Sequence, residues 1–175
     1  MNKNNLILAG FLVLLAFVAR VAPHVSNFSP LIAIALFSGA VFSGNKWFYL
    51  IPVVGLVASD FILGFHNLSP VIYFVLGLIA LVGISSKGFK AFNLSSNMSL
   101  LMKTTLAAVF FFITTNLAVF FLTSMYPKNW AGLVECYSLA LPFFRSTLVS
   151  SLFYSAVLFN GYAYLVSKKP VRVTS

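Results

Sequence analysis

The fold class this sequence predicts is all-α, a polytopic membrane protein folded as a six-transmembrane-helix bundle. Three observations predict it: 61% of the residues are hydrophobic, only 7% are charged, and the apolar residues fall into six runs separated by turn residues and lysines. A soluble globular chain carries roughly 25% charged residues, so this one cannot cover its own surface with polar groups. Its mean hydropathy of +1.01 points the same way. Eleven Lys and Arg against two Asp and Glu give a net charge of +9. In a soluble protein that imbalance would suggest a nucleic-acid partner. Here the basic residues are scattered between apolar runs and orient the chain in a bilayer instead, so no nucleic acid is expected. The runs leave no room for a soluble domain, and residues 1–175 are read as a single membrane-embedded domain. One cysteine excludes an internal disulfide and a multi-cysteine metal site; no metal or cofactor is expected.

A transmembrane helix needs about 20 mostly apolar residues, and the first is placed at 5–21. It follows Lys3 as a signal peptide would, but no small-x-small cleavage pattern comes after it, so it is expected to be retained. The second helix, 30–43, is short for a full span and is divided from the third, 47–65, by Gly44-Asn45-Lys46. A segment that short must lie partly under covering loops or start below the membrane surface. The fourth is placed at 70–86. Residues 87–103 are basic and rich in Ser and Asn and are read as a loop, with room for a helical turn using Leu94, Met98 and Leu101. The fifth helix, 104–126, carries no charge, and the sixth, 146–167, ends at Lys168-Lys169. Residues 127–145, with Gly132 and Pro142 as turn formers, are read as a long loop.

Six spans put both termini on one side. That side collects Lys3, Lys46, Lys87, Lys90, Lys103, Lys168, Lys169 and Arg172, and the other side Arg20, Lys128 and Arg145. The positive-inside bias then makes both termini cytoplasmic in a multi-pass protein of the cell membrane. Nearly every chemically versatile side chain falls on the outer side. Ligand sites are mostly apolar with a few placed polar groups, so an outward pocket roofed by the 127–144 loop is expected, with Arg20, Asn27, Asp60, Tyr73, Asn116, Trp130, Cys136, Tyr137 and Arg145 as candidate substrate-binding residues and no catalytic set.

Asp60 is the sharpest of these. It lies 13 residues past Trp47, roughly 20 Å along a helix, and an ionisable group at such depth faces the bundle or a water-filled cavity. It either contacts a ligand or pairs with Arg20 or Arg145. Each arginine could equally snorkel to headgroups or clamp an anionic group in two-point fashion. His24 and His66 have no second ligand at metal spacing and read as loop histidines. Asn160 reads as an inter-helix hydrogen-bonding amide and Asn116 as that or a cavity-lining one. Ala35 and Gly39, four apart, allow close approach of a neighbouring backbone. Cys136 either packs the loop against the bundle or offers a thiol to a metal or a base.

The ordered set Arg20, Asn27-Phe28-Ser29-Pro30, Ala35-Leu36-Phe37-Ser38-Gly39-Ala40, Ser59-Asp60, Leu63-Gly64-Phe65-His66, Pro70 and Tyr73 resembles an uncharacterised family of small bacterial membrane proteins. So does the second half, through Phe111, Phe112, Thr115-Asn116, Tyr126-Pro127, Gly132-Leu133, Cys136-Tyr137 and Pro142-Phe143-Phe144-Arg145. That family in turn is similar to the substrate-binding S components of energy-coupling-factor vitamin transporters. The resemblance implies a six-helix bundle with an outward-opening pocket, uptake of a vitamin or similar micronutrient across the bacterial inner membrane, and a membrane coupling subunit with paired ATPases as partner. The first helix departs from the pattern: its alanines, Ala9, Ala16 and Ala19, do not form the Ala-x-x-x-Ala motif with which many such components meet that subunit. Transport is therefore the leading expectation. The alternatives are a structural or assembly subunit without a ligand, and a membrane thiol or cobalamin-processing protein using Cys136. No Gly-x-x-x-x-Gly-Lys-Ser/Thr motif is present, so any ATP-driven step would come from other subunits.

Overall fold

A computed structural model describes residues 3–23 and 26–167, and within these all regular structure is helical. In chain order the helices are α1 (Lys3–Val21), α2 (Leu31–Phe42), α3 (Leu50–Leu63), α4 (Ser69–Gly83, continued by a 3-10 turn Ile84–Ser86), α5 (Leu94–Leu122) and α6 (Trp130–Ser167). Four of them are long and apolar enough to cross a membrane, and α2 and α3 are shorter. Large apolar side chains such as Phe61, Leu94, Leu106, Phe121 and Leu165 stand exposed around the outside. In water such a belt would drive aggregation; against lipid it is the expected surface. The molecule is an all-α membrane bundle.

The pattern of α2 explains where it sits. Leu31-Ile32-Ala33-Ile34-Ala35-Leu36-Phe37 has no polar face, and a helix apolar all round is buried all round. Residues 32–39 are all buried, and α2 packs against each of the other five helices. The core runs through Leu12 and Ala16 of α1, Leu36 and Phe37 of α2, Leu56 of α3, Leu76 and Ile79 of α4, Ala108 of α5 and Phe159 of α6.

Small residues set the closest crossings. An added Cβ at Gly39 would lie 1.9 Å from the Ala80 carbonyl oxygen, and one at Gly83 would lie 2.1 Å from that of Leu36, so α2 and α4 meet backbone to backbone. This is the approach expected of Gly39. Gly55 of α3 likewise faces Ala16 and the Val13 carbonyl of α1. Because Ala16 meets Gly55 and Arg20 meets Asp60, α1 and α3 run parallel.

The α5–α6 pair is antiparallel, which its cross-links document in sequence. Asn160 donates to Asn97 Oδ1 (2.9 Å), Thr104 to Ser155 Oγ (3.2 Å), and Tyr137 to the Ile113 carbonyl (2.7 Å). Asn160 Oδ1 also accepts from the Phe92 N–H at 2.9 Å. Its amide thus ties α5, α6 and the preceding loop together, as its place in an apolar span requires.

Two segments read as loops are helical. The fifth helix starts at Leu94, not 104, because Asn93 caps it, its side chain accepting from the Ser96 N–H; an Asn at this position satisfies an otherwise orphaned donor. The sixth starts at Trp130, not 146, behind Asn129, whose Oδ1 accepts from the Gly132 N–H at 2.9 Å. Gly132 is therefore a first-turn residue packed on the Pro127 carbonyl. Pro142 lies inside the helix, where its lack of an N–H removes one backbone bond without ending the run. The loop expected to roof a pocket over 127–144 is, from Trp130 onward, part of the bundle. The other ends differ less: α3 ends at Leu63, short of 65, because Gly64 takes φ +92°, a conformation natural to glycine. At 29 and 38 residues, α5 and α6 exceed the roughly 30 Å hydrocarbon thickness, so they tilt or project beyond it. His24, Lys168, Lys169 and Arg172 lie outside the described residues.

Candidate functional site

The C-terminal ends of α1 and α3, the N-terminal ends of α2 and α4, the second half of α5 and the first half of α6 come together at one end of the bundle. At their centre Asp60 is fully buried and accepts three hydrogen bonds. Arg20 Nη2 donates to Oδ1 at 2.8 Å, and Ser69 Oγ, at 3.0 Å, and the Tyr73 hydroxyl donate to Oδ2. The ion pair with Arg20 is one of the arrangements the sequence allowed. Local chain geometry delivers the partners: the Gly64 turn reverses the chain after α3, the His66 N–H donates to Ser69 Oγ at 3.4 Å, and Ser69 opens α4. Tyr73 follows one turn later.

The Arg20 side chain, 19% exposed, continues past this pair into a cavity of about 490 Å³ lined by residues of all six helices' neighbourhood at that end. Asp60 holds only Nη2; the other two guanidinium nitrogens have no partner among the described residues. Asn27 lines the cavity from the turn before α2, at φ 60°, which asparagine tolerates better than most residues. Ser29 joins it, and its buried hydroxyl has no hydrogen-bond partner among the described residues. Thr115 and Asn116 of α5 and Thr147 of α6 add polar groups, and Phe111, Phe112, Phe143 and Phe144 add aromatic walls. Phe112 and Phe144 lie 4.7 Å apart between ring centroids.

Of the residues expected from sequence, Arg20, Asn27 and Asn116 line this cavity. Asp60 and Tyr73 stand behind it, Asp60 holding Arg20 and Tyr73 donating to Asp60. Four expectations need correction, all on the segment read as a loop. Trp130 opens α6 and is 78% exposed; Arg145 is exposed on the same helix and leaves Asp60 to Arg20. Tyr137 uses its hydroxyl to tie α6 to the Ile113 carbonyl and its ring to pack edge-on against Phe112 at 5.7 Å. Cys136 is only 2% exposed, with Sγ 3.5 Å from the Asn116 carbonyl. None of the four lines the cavity. The helix presents every third or fourth residue on one face, so the α6 lining falls instead on Ala140, Phe143, Phe144 and Thr147.

Sequence reasoning missed Ser29, Thr115 and Thr147 as lining residues. Thr147 and the α6 aromatics have helical spacing that becomes visible once residues 130–147 are taken as a helix, whereas nothing local to Ser29 marks it. His66 is exposed, and among the described residues no three of His, Cys, Asp and Glu come together. The burial of Cys136 has a direct check. A mild maleimide should leave the native protein unmodified and react fully after denaturation in SDS; rapid labelling of the native protein would place the thiol at the surface instead.

The fold and this cavity define a class: a small polytopic membrane protein with a mixed polar and aromatic pocket at one end of its bundle. Residues 1–173 match the model of a family described as a family of unknown function, DUF6580, and the chain belongs to that family. No curated protein and no solved structure gives a significant match.

Proposed function

We propose that the protein binds a small organic solute in the Arg20 cavity and serves its uptake, in the manner of the substrate-binding components of energy-coupling-factor transporters. The observation that carries this reading is the cavity itself: about 490 Å³, within the size of small-molecule sites, walled by phenylalanines and lined by Arg20, two of whose guanidinium nitrogens have no partner among the described residues. Buried polar groups are hydrogen-bonded in the great majority of proteins, and a bound solute would supply partners to the guanidinium of Arg20. The Arg20–Asp60 pair is neutral as a unit and the other polar lining groups carry no charge. The site therefore suits a planar, hydrogen-bonding molecule such as a vitamin or related micronutrient.

In this reading the Arg20 end faces outward and both termini are cytoplasmic in the inner membrane, and ATP-driven steps come from a separate coupling subunit. The buried, unactivated setting of Cys136 favours packing over thiol chemistry. Thermal melting of the purified chain across a panel of vitamins tests the proposal. A true ligand at 100 times its Kd should stabilise by about 2.7 kcal/mol, and Asn116→Leu, which removes an amide from the cavity wall without touching the ion pair, should reduce that stabilisation. If no compound raises the melting point, the protein is an assembly subunit without a small ligand.

A further inference from the structure

A second cavity, of about 640 Å³, opens at the opposite end of the bundle. It lies between the C-terminal half of α2, the C-terminal end of α6 and the loop that joins α4 to α5. Its walls are apolar and aromatic, with Phe37, Phe89, Phe159 and Tyr162 among them, and its charged groups are Lys87 and Lys90 of the loop. Neither ammonium group has an acceptor among the described residues. The chain's two acidic side chains cannot serve: Asp60 is consumed by Arg20 at the far end, and Glu135 lies near the start of α6, beyond the residues that line the first cavity.

The loop is held in place for this arrangement. Gly88 at φ +79° turns the chain between the two lysines, and Phe92 is kept at φ 56° by the bond from its N–H to Asn160 Oδ1 and by edge contact with Tyr164. A bulky residue seldom adopts that conformation, and it persists only where surrounding contacts enforce it. The result is a pair of exposed lysines, without an acidic partner among the described residues, lining an apolar recess.

We infer that this recess binds the phosphate of an anionic phospholipid, with Lys87 and Lys90 on the phosphate and the upper acyl chain against Phe37, Phe159 and Tyr162. A phosphate group is the shared chemistry of a lipid headgroup and free inorganic phosphate. The lipid is favoured because the aromatic wall adds nothing to a free ion, whereas a lipid uses both parts of the site. Basic pockets between transmembrane helices take headgroups in this way.

The test uses the purified full chain in detergent, titrated with phosphatidylglycerol, with phosphatidylcholine of the same acyl chains, and with inorganic phosphate. Binding is read by native mass spectrometry and thermal melting. Phosphatidylglycerol should bind the wild type with one preferred equivalent, and K87Q/K90Q should weaken that step on the order of 30-fold, as expected for two interfacial lysines. K87R/K90R, which keeps both charges, should bind as the wild type does. Equal binding of phosphatidylcholine, or unchanged phosphatidylglycerol binding in K87Q/K90Q, would overturn the assignment. Equal protection by inorganic phosphate would overturn the lipid in favour of a soluble anion. Loss of binding in K87R/K90R equal to that in the glutamine pair would overturn the electrostatic basis.

Discussion

Arg20→Ala should cost about 3–5 kcal/mol of stability, the range found when one partner of a buried ion pair is removed. Asp60 is fully buried, and Arg20 is its only cationic partner among the described residues. Ser69 and Tyr73 would still donate to the carboxylate, but two hydroxyl hydrogen bonds do not neutralise a charge inside an apolar bundle. The expected observation is a large fall in melting temperature in detergent. The double variant R20M/D60N should recover most of it, because the amide keeps an acceptor for Ser69 and Tyr73 and no charge remains to be compensated. A melting point for Arg20→Ala close to wild type, or a double variant no better than the single, would show that the pair is not what joins α1 to α3 and α4. Once folded, R20M/D60N also separates the two roles of Arg20: it restores the scaffold while removing the guanidinium from the cavity, so a ligand that still binds it does not use Arg20.

The second large effect is expected at Gly83. Its missing Cβ is the space through which the Leu36 backbone passes, 2.1 Å from the carbonyl oxygen and 2.8 Å from the carbonyl carbon. Backbone cannot rotate away as a side chain can, so Gly83→Ala must move α2 off α4. Overpacking ordinarily costs about 1–3 kcal/mol, and this substitution should reach the top of that range or pass it, with G39A/G83A worse still. Gly77→Ala is the control on the same helix. Nothing lies within 4 Å of its added Cβ, and helix propensity alone favours alanine by about 1 kcal/mol. The two alanine substitutions should therefore shift the melting temperature in opposite directions. Equal shifts would mean that the α2–α4 crossing is not as close as described.

Much of this architecture is legible in the residues. The absence of polar groups from 6–19 and from the face of every later helix dictates helical, lipid-solvated segments, because backbone groups in hydrocarbon must be paired within the segment. The uniform apolarity of 31–37 marks α2 as the buried one, and Gly39 announces a close crossing. Among candidate site residues, Arg20, Asn27, Asp60, Tyr73 and Asn116 do meet at one end, because alternating helix direction alone brings those positions together. The difference at 127–145 has one cause. Gly132 and Pro142 read as turn formers, while Asn129, which caps a helix three residues before Gly132, carries the opposite signal. Asn93 and Ser96 carry the same signal ahead of α5.

By itself, then, the sequence determined the solvent of this protein, its helical class and the end of the bundle at which its versatile side chains gather, since these follow from composition and from the period of the helix. Tertiary structure decided which of those side chains work together. Whether Asp60 would take Arg20 or Arg145 depends on the parallel packing of α1 on α3. Whether Cys136, Tyr137 and Trp130 would face a solute, a neighbour or lipid depends on the rotation of α6 against α5. Charge and polarity are properties of residues, but register and rotation between helices are set by small-residue contacts distant in the chain, and no local pattern records them.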